Sequence, residues 1–253
     1  MIWPFALLSL VMAGAWLFQR ITGNAGWVDM FWSYGVGIAG VAASLVVASP
    51  RHLLVAAVIA VWSVRLGTAI GLRSRGAAED PRYAKFRREW GARFEPKLFG
   101  FLQIQAVAGW PLLFSIHAAA ANPAPLGWHD ALAVVIAGLA IAGEALADLQ
   151  LRRFRASHQH GSVCDAGLWR WSRHPNYFFE FLGWCALPCF AWPVVSGVAI
   201  ACLAPLAIYV LLVHISGIPP LESHMLATRG DRFRAYQTRT SAFFPWPPSE
   251  PSP

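Results

Sequence analysis

Apolar runs long enough to cross a lipid bilayer recur along this chain, and that recurrence leaves few folds open. A spanning helix needs about 20 mostly apolar residues. Seven runs approach that length, at roughly 3–18, 28–48, 53–72, 98–121, 129–149, 176–192 and 194–216. Charged residues make up only 13% of the chain, about half the share usual in a soluble protein. A water-facing surface of this size cannot be covered with so few charges, whereas a bilayer needs none. Trp27, Trp110, Trp128 and Trp192 stand at the ends of apolar runs, where indole rings favour the headgroup level. The first run ends in a cleavage-like Ala13-Gly14-Ala15, but no basic stretch precedes it and further apolar runs follow, so it reads as a first spanning helix rather than a signal peptide. The expected architecture is one all-α integral membrane domain over 1–253 with about seven transmembrane helices.

The basic residues give the expected orientation. Segment 73–97 holds eight Lys or Arg, segment 151–175 holds five and segment 218–253 holds four, whereas the loops around 49–52, 122–128 and 193 share only Arg51. By the positive-inside rule the three rich segments lie in the cytoplasm. Seven crossings then put the N-terminus outside and the C-terminus inside. The net charge of +7 is thereby explained largely without nucleic acid. It gathers cationic segments on one face, where an anionic ligand or the anionic leaflet would bind. The Pro-rich end from Pro245 reads as a tail.

Ionisable groups inside apolar runs are costly and usually have work to do. Here they are Asp29, Arg65, Glu144, Asp148 and Glu180, with Arg65 expected to pair with an acid such as Asp29 or Glu144. Glu144 and Asp148 are four apart and share a helix face, which Arg152 and Arg155 continue. Asn176 and Glu180 form a second pair four apart. One reading is an ion-pair network that locks helices together; the other is the lining of a polar cavity near the cytoplasmic side. Gly35-Val36-Gly37-Ile38-Ala39-Gly40 fits the dinucleotide pattern G-x-G-x-x-G, but it lies inside an apolar run rather than between a strand and a helix. Small residues at that spacing are expected to let helices approach closely. Cys164, Cys185, Cys189 and Cys202 lack C-x-x-C spacing and read as small buried hydrophobes. His158 and His160 have no companions at metal-ligand intervals, so no metal site is expected.

Two segments carry recognisable motifs. One runs Gly167-Leu168-Trp169-Arg170-Trp171-Ser172-Arg173-His174-Pro175-Asn176-Tyr177, with Glu180 following. The other runs from Glu222 through Arg232-Phe233-Arg234-Ala235-Tyr236 to Thr240-Ser241-Ala242-Phe243-Phe244-Pro245-Trp246. Together they resemble the C-terminal domain of the steroid 5-alpha-reductase family. Sterol reductases and isoprenylcysteine carboxyl methyltransferases share the Arg173-to-Tyr177 box. Trp27-Val28-Asp29 with Trp32, Trp62 with Arg65-Leu66, and Glu79-Asp80-Pro81-Arg82-Tyr83 resemble the bacterial branch of the reductases, and the methyltransferases lack these blocks. The resemblance implies a seven-helix protein of the bacterial inner membrane with NADPH in a cytoplasm-facing cavity. It implies reduction of the carbon–carbon double bond conjugated to a 3-ketone in a steroid-like substrate. Family cofactor positions fall on Asp148, Arg152, Arg155, Asn176 and Glu180, and on Arg73 and its neighbours. In two places the pattern departs: Asp29-Met30 stands where the eukaryotic steroid enzymes have a Gln-Glu pair, and Trp62 stands where the family has a Tyr.

The expected chemistry asks little of the protein, because the cofactor carries the hydride. Hydride adds to the beta carbon of the enone and negative charge grows on the ketone oxygen, so a donor aimed there lowers the barrier. Asp29, if protonated by its apolar site, and Tyr34 are the candidate donors. Arg152, Arg155 and Arg173 would meet the cofactor's phosphates or lipid headgroups. Trp171 and Tyr177 offer stacking faces or interface anchors. His174 is expected to hydrogen-bond locally, and Tyr83, Tyr236 and Glu222 to join the cofactor region or pack the cytoplasmic segments. The partners expected are a lipophilic enone and membrane lipids, with no nucleic acid and no obligate protein. Two rivals remain: an S-adenosylmethionine-dependent membrane methyltransferase and a non-enzymatic lipid-binding protein.

Overall fold

The computed structural model describes residues 2–158 and 161–249. Among them there is no strand, as the apolar runs required: in lipid a backbone must satisfy its hydrogen bonds within its own segment. The helices are α1 (Trp3–Thr22), α2 (Val28–Leu45), α3 (His52–Ser74), α4 (Pro81–Trp90), α5 (Phe94–Ala108), α6 (Trp110–Ala120) and α7 (Trp128–Ser157). They continue with α8 (Pro175–Trp184), α9 (Ala186–Ala191), α10 (Val195–Ala201), α11 (Leu203–Val210), α12 (Ile218–Arg229) and α13 (Asp231–Arg239). Six helical stretches are long and apolar enough to cross a membrane: Trp3–Thr22, Ala25–Leu45, His52–Ser74, Pro81–Ala120, Trp128–Ser157 and Val195–Arg229. The chain is therefore built as a multi-pass membrane protein. The expected run at 176–192 is not among the six, because Cys185 separates α8 from the six-residue α9. The run at 98–121 is also jointed, at Gly109, where Pro111 opens α6 without an N–H to donate.

The chain divides into two compact units, Met1–Ala133 with Leu187–Ala204, and Val134–Ala186 with Pro205–Pro253. In the first unit α2 is the hub. Its three pattern glycines touch three different neighbours. A Cβ on Gly35 would stand 2.9 Å from Leu8 and Val11 of α1, one on Gly37 would overlap Ser63 of α3, and one on Gly40 would lie 2.7 Å from Ile116 of α6. The G-x-G-x-x-G pattern is thus a packing device. Ser63 donates to the Ser33 carbonyl oxygen at 3.0 Å across the α2–α3 seam.

Arg51 is wholly buried. Its Nε donates to Asp130 Oδ1 at 2.8 Å, and its Nη atoms donate to the carbonyls of Asn122 (2.6 Å) and Pro125 (3.0 Å). Asn122 in turn donates to the carbonyls of Phe190 and Trp192. The lone basic residue of the charge-poor loops is therefore neutralised within the fold. The rings of Trp110, Trp128 and Trp192 are exposed, consistent with a place at the bilayer boundary, whereas Trp27 is half-buried.

In the second unit α7 runs eight residues past the expected span, to Ser157. Ala147, Cys164 and Trp169 make a small core with Leu151, Phe154 and Leu168. Gly167, at φ 61°, lets the following 3-10 turn lie on Gln150, which accepts the Leu168 N–H at 2.9 Å. Phe178, Phe181, Tyr209, Phe243 and Phe244 form an aromatic cluster with centroids 5.1 to 6.4 Å apart.

Candidate functional site

The first unit carries a polar junction where α2, α4 and the segment before α4 meet. Asp80 is the N-cap of α4: its Oδ1 accepts the Arg82 N–H at 2.9 Å, and Pro81 follows in the first turn. The Arg82 guanidinium then bridges two acids. Its Nη2 donates to Asp29 Oδ2 at 2.5 Å, and it meets Asp80 through Nε and Nη2, both at 3.0 Å. Burial on its own would raise the Asp80 carboxyl, but Arg82's hydrogen bonds and charge, with Arg73's charge beyond, hold it below the usual carboxylate range. Glu79 is lowered in the same way: Arg87 and the Ala25 N–H outweigh the effect of burial. Glu79 lies 2.8 Å from Arg87, and its Oε1 accepts the Ala25 N–H at 3.2 Å.

These contacts bear on two expectations. Asp29 accepts a charge-assisted hydrogen bond from Arg82 instead of presenting a proton. Tyr83 is buried, with its hydroxyl accepting from Gln105 Nε2 at 3.4 Å, so it packs the junction. Tyr34 keeps a hydroxyl with donor capacity: it lies 2.8 Å from Thr68 Oγ1, over Gly67, where a Cβ would meet the Tyr34 ring at 2.7 Å. Arg73 is exposed at the end of α3.

The second unit carries a lock built on Glu222 of α12. Arg173 engages it through two nitrogens, Nε to Oε1 at 2.7 Å and Nη2 to Oε2 at 3.2 Å. Gln237 adds a third donor at 2.7 Å and His174 Nε2 a fourth at 2.9 Å. Arg173 Nη1 also donates to the carbonyls of Thr240 (2.5 Å) and Gln237 (3.2 Å). Four of the five guanidinium donors are thereby spent inside the fold. Backbone bonds finish the closure: Arg173 N–H to the Ser241 carbonyl at 2.8 Å and Trp246 N–H to the Trp171 carbonyl at 2.9 Å. Ser172 Oγ donates to the Phe243 carbonyl at 2.8 Å, and Tyr236 donates its buried hydroxyl to the Trp169 carbonyl. Burial pushes the Tyr236 hydroxyl's pKa up. Burial also pulls His174 below the ordinary imidazole value, a pull that Glu222 opposes without overcoming. His174 therefore stays neutral near pH 7 and donates from Nε2. Its ring stacks on Tyr177, with centroids 5.4 Å apart and planes 11° apart.

Arg173, expected at the cofactor phosphates, is thus turned inward to hold the 166–174 segment against the tail. His174, Glu222 and Tyr236 share that task. His174 donates its backbone N–H to Ser172 Oγ within its own loop at 3.1 Å, while its side chain reaches the long-range partner Glu222. Trp171 is exposed and presents a free ring face. A cavity of ≈ 440 Å³ opens beside the lock, lined by Arg173, Gln237, Arg239, Ser241 and Trp246 among others.

On α7 the expected row is realised on one unbroken helix. Glu144 is buried, Asp148 half-buried, and Arg152 and Arg155 are exposed beyond it. On α8, Asn176 stands in the first turn beside Pro175, and Glu180 is buried and accepts the Trp184 Nε1–H at 2.8 Å. The polar groups on this unit, two exposed guanidiniums, a side-chain amide and a buried acid, could hold a phosphate-bearing ligand.

The roles of Arg82, Gln237 and Trp184 were missed by sequence reasoning. Asp80-Pro81 is a legible helix start, but a bond between positions 53 apart, such as Arg82 to Asp29, leaves no local trace. The described residues contain no cluster of three or more metal-ligating side chains, and His160 lies outside the described residues. No curated protein and no solved structure matches the chain. A family described as "Protein of unknown function (DUF1295)" matches residues 15–240, a stretch that takes in both the Asp29–Arg82 junction and the Glu222 lock, and the chain belongs to that family.

Proposed function

We propose that the protein is a membrane-embedded reductase that uses NADPH to saturate the carbon–carbon double bond of a lipophilic, steroid-like enone. The observation that carries this reading is the Asp148–Arg152–Arg155 row, which continues without a break from an apolar helix into an exposed cationic end. Costly acids inside a span, followed at helical spacing by exposed guanidiniums, suit a polyanion with one end lowered into a membrane cavity. The resemblance to the steroid 5-alpha-reductase family supplies the reaction class.

In this reading Arg152 and Arg155 bind the cofactor's phosphates. Asn176 and Glu180 orient its amide and ribose hydroxyls, and Asp148 holds a hydroxyl. The bound nicotinamide would supply the hydride. Arg173, His174, Glu222 and Tyr236 are positioning residues: they fix the start of α8 and hence Asn176. Tyr34 donates its hydroxyl hydrogen bond to the ketone oxygen as charge grows there. The Asp29–Arg82–Asp80 bridge holds α2 in the register that presents Tyr34.

The orientation belongs to the same proposal. Trp171, Ser172 and Arg173 bond to Trp246, Phe243 and Ser241, so the 166–174 segment and the tail lie on one side of the membrane. The chain between them must cross an even number of times, and Val195–Arg229 supplies one crossing. This parity supports α8–α9 as the other crossing, giving seven, and the basic segments support a cytoplasmic C-terminus.

The test is NADPH oxidation by the detergent-purified protein with a 3-oxo-4-ene steroid such as progesterone, alongside labelled S-adenosylmethionine. Steroid-dependent oxidation that Asn176→Ala abolishes in a folded variant supports the reading. Binding of S-adenosylmethionine without NADPH would overturn it in favour of the methyltransferase. Binding of neither, with enone retained, would leave the lipid-binding protein.

A further inference from the structure

The basic residues at the α4 end of the first unit fall into two groups. Arg82, Arg87, Lys85 and Arg20 each face a carboxylate: Asp29 and Asp80, Glu79, Glu89 and Glu95. Arg73, Arg75, Arg88, Arg93 and Lys97 lie within salt-bridge distance of none among the described residues, and of these Arg93 and Lys97 stand at the start of α5. Both are exposed, and Lys97 only rests 5.8 Å over the Trp90 ring. The nearest acid, Glu95, is turned to α1, where it accepts from Gln19 at 2.8 Å and lies 3.7 Å from Arg20.

Arg93 and Lys97 head an outward stripe. Positions 97, 100, 104 and 107 recur at steps of three and four, so they share one side of α5, and Arg93 is the residue that caps its start. The opposite side is the buried Phe94, Leu98, Leu102 and Ala106. A Cβ at Gly100 would meet nothing within 4 Å, so the stripe has an open notch one turn below the cations. Beyond it Ile104 and Val107 are 66% and 49% exposed. From Lys97 to Val107 the helix rises about 15 Å at 1.5 Å per residue, roughly half the thickness of a bilayer's hydrocarbon core. A pair of unmatched cations above a notch and an apolar track of one leaflet's depth is the profile of a phospholipid.

We propose that this face binds an anionic phospholipid, its headgroup phosphate on Arg93 and Lys97 and one acyl chain along Gly100, Ile104 and Val107. The site is separate from the reductase reading and does not depend on it. The phosphate takes charge-assisted bonds from two exposed side chains that face no acid among the described residues, and the acyl chain covers exposed apolar surface of α5.

Native mass spectrometry of the full chain in detergent, titrated with phosphatidylglycerol, tests the proposal. Wild type is expected to retain phosphatidylglycerol over phosphatidylcholine. Arg93→Gln/Lys97→Gln is expected to lose about 25-fold in affinity, roughly fivefold per cation, while Arg93→Lys/Lys97→Arg keeps it. Arg232→Gln/Arg234→Gln is expected to bind as wild type. If the double Gln variant fails to fold, Arg93→Gln and Lys97→Gln singly are each expected to lose about fivefold. Free sn-glycerol 1-phosphate is expected to compete poorly, because it lacks the acyl chain. The proposal is overturned if the Gln variants retain phosphatidylglycerol as wild type does, if phosphatidylcholine binds equally, or if sn-glycerol 1-phosphate binds as tightly as the lipid.

Discussion

At the scale of single residues, the Glu222 lock makes the sharpest claims. Removing the acid by Glu222→Gln leaves the Arg173 guanidinium buried without its counter-charge. That change is expected to destabilise the protein by about 3 kcal/mol, read as a lower melting temperature in detergent. His174 adds a pH signature. Its folded pKa lies below the ordinary value because burial opposes the imidazolium. Between that depressed value and about 6.5 the unfolded chain binds a proton that the folded chain refuses, so stability falls as pH drops through this window. The melting temperature is expected to be level above about pH 7 and to decline below about 6.5, with the decline softened in His174→Gln. The lowered carboxyls of Asp80 and Glu79 act later, below their ordinary range, where protonation removes the acceptors of Arg82 and Arg87. A decline unchanged in His174→Gln would show that another group titrates. In the proposed reaction, Tyr34→Phe is expected to lower kcat by about 100-fold while leaving NADPH affinity intact; equal losses in both would place Tyr34 in binding instead.

At the scale of elements, the α2–α3 seam depends on glycine where the sequence shows a nucleotide-like pattern. Gly37→Ala places a methyl where the Ser63 side chain already lies, an overpacking expected to cost about 1–3 kcal/mol. Ser63→Ala does not relieve it, because the Ser63 Cβ remains in the overlap. Ser63→Gly with Gly37→Ala moves the methyl to the other side of the seam, and thermal unfolding is expected to recover most of the loss. If the double variant is no better than Gly37→Ala, the seam is not what Gly37 serves. The elements themselves were largely legible. The runs at 28–48 and 53–72 became α2 and α3 within three residues, because a run of apolar side chains long enough for the bilayer is also a helix's whole length. The joints at Gly109 and Cys185 were less legible. Pro111 marks the first, and Pro188 marks the second, because it has no N–H to donate to the Trp184 carbonyl one turn earlier.

At the scale of the whole molecule, connectivity constrains topology more tightly than composition. In the proposed seven-crossing reading, Ser162 and Ser249 lie on one side of the membrane, because the 171–173 segment hydrogen-bonds to the tail. In a cysteine-free background, Ser162→Cys and Ser249→Cys are expected to react with an impermeant maleimide from the same side, and Ala124→Cys from the other. Labelling of Ser162→Cys and Ser249→Cys from opposite sides would rule out the seven-crossing reading. Arg51 is expected to matter for folding rather than orientation, since its charge is cancelled by Asp130 within the fold.

The sequence alone determined the class of fold, because spans are declared by length and hydropathy, both local properties. It also placed Glu144, Asp148, Arg152 and Arg155 on one face, since helical periodicity carries side-chain direction along a continuous helix. It did not determine which cations are spent and which remain available. Arg173 and Arg152 look alike in the sequence, yet one is sealed against Glu222 while the other is exposed. The same holds for Arg82, bound to Asp29, and Arg93, bound to no acid among the described residues. Those distinctions rest on partners tens of residues away, and only tertiary packing brings such partners within hydrogen-bonding distance.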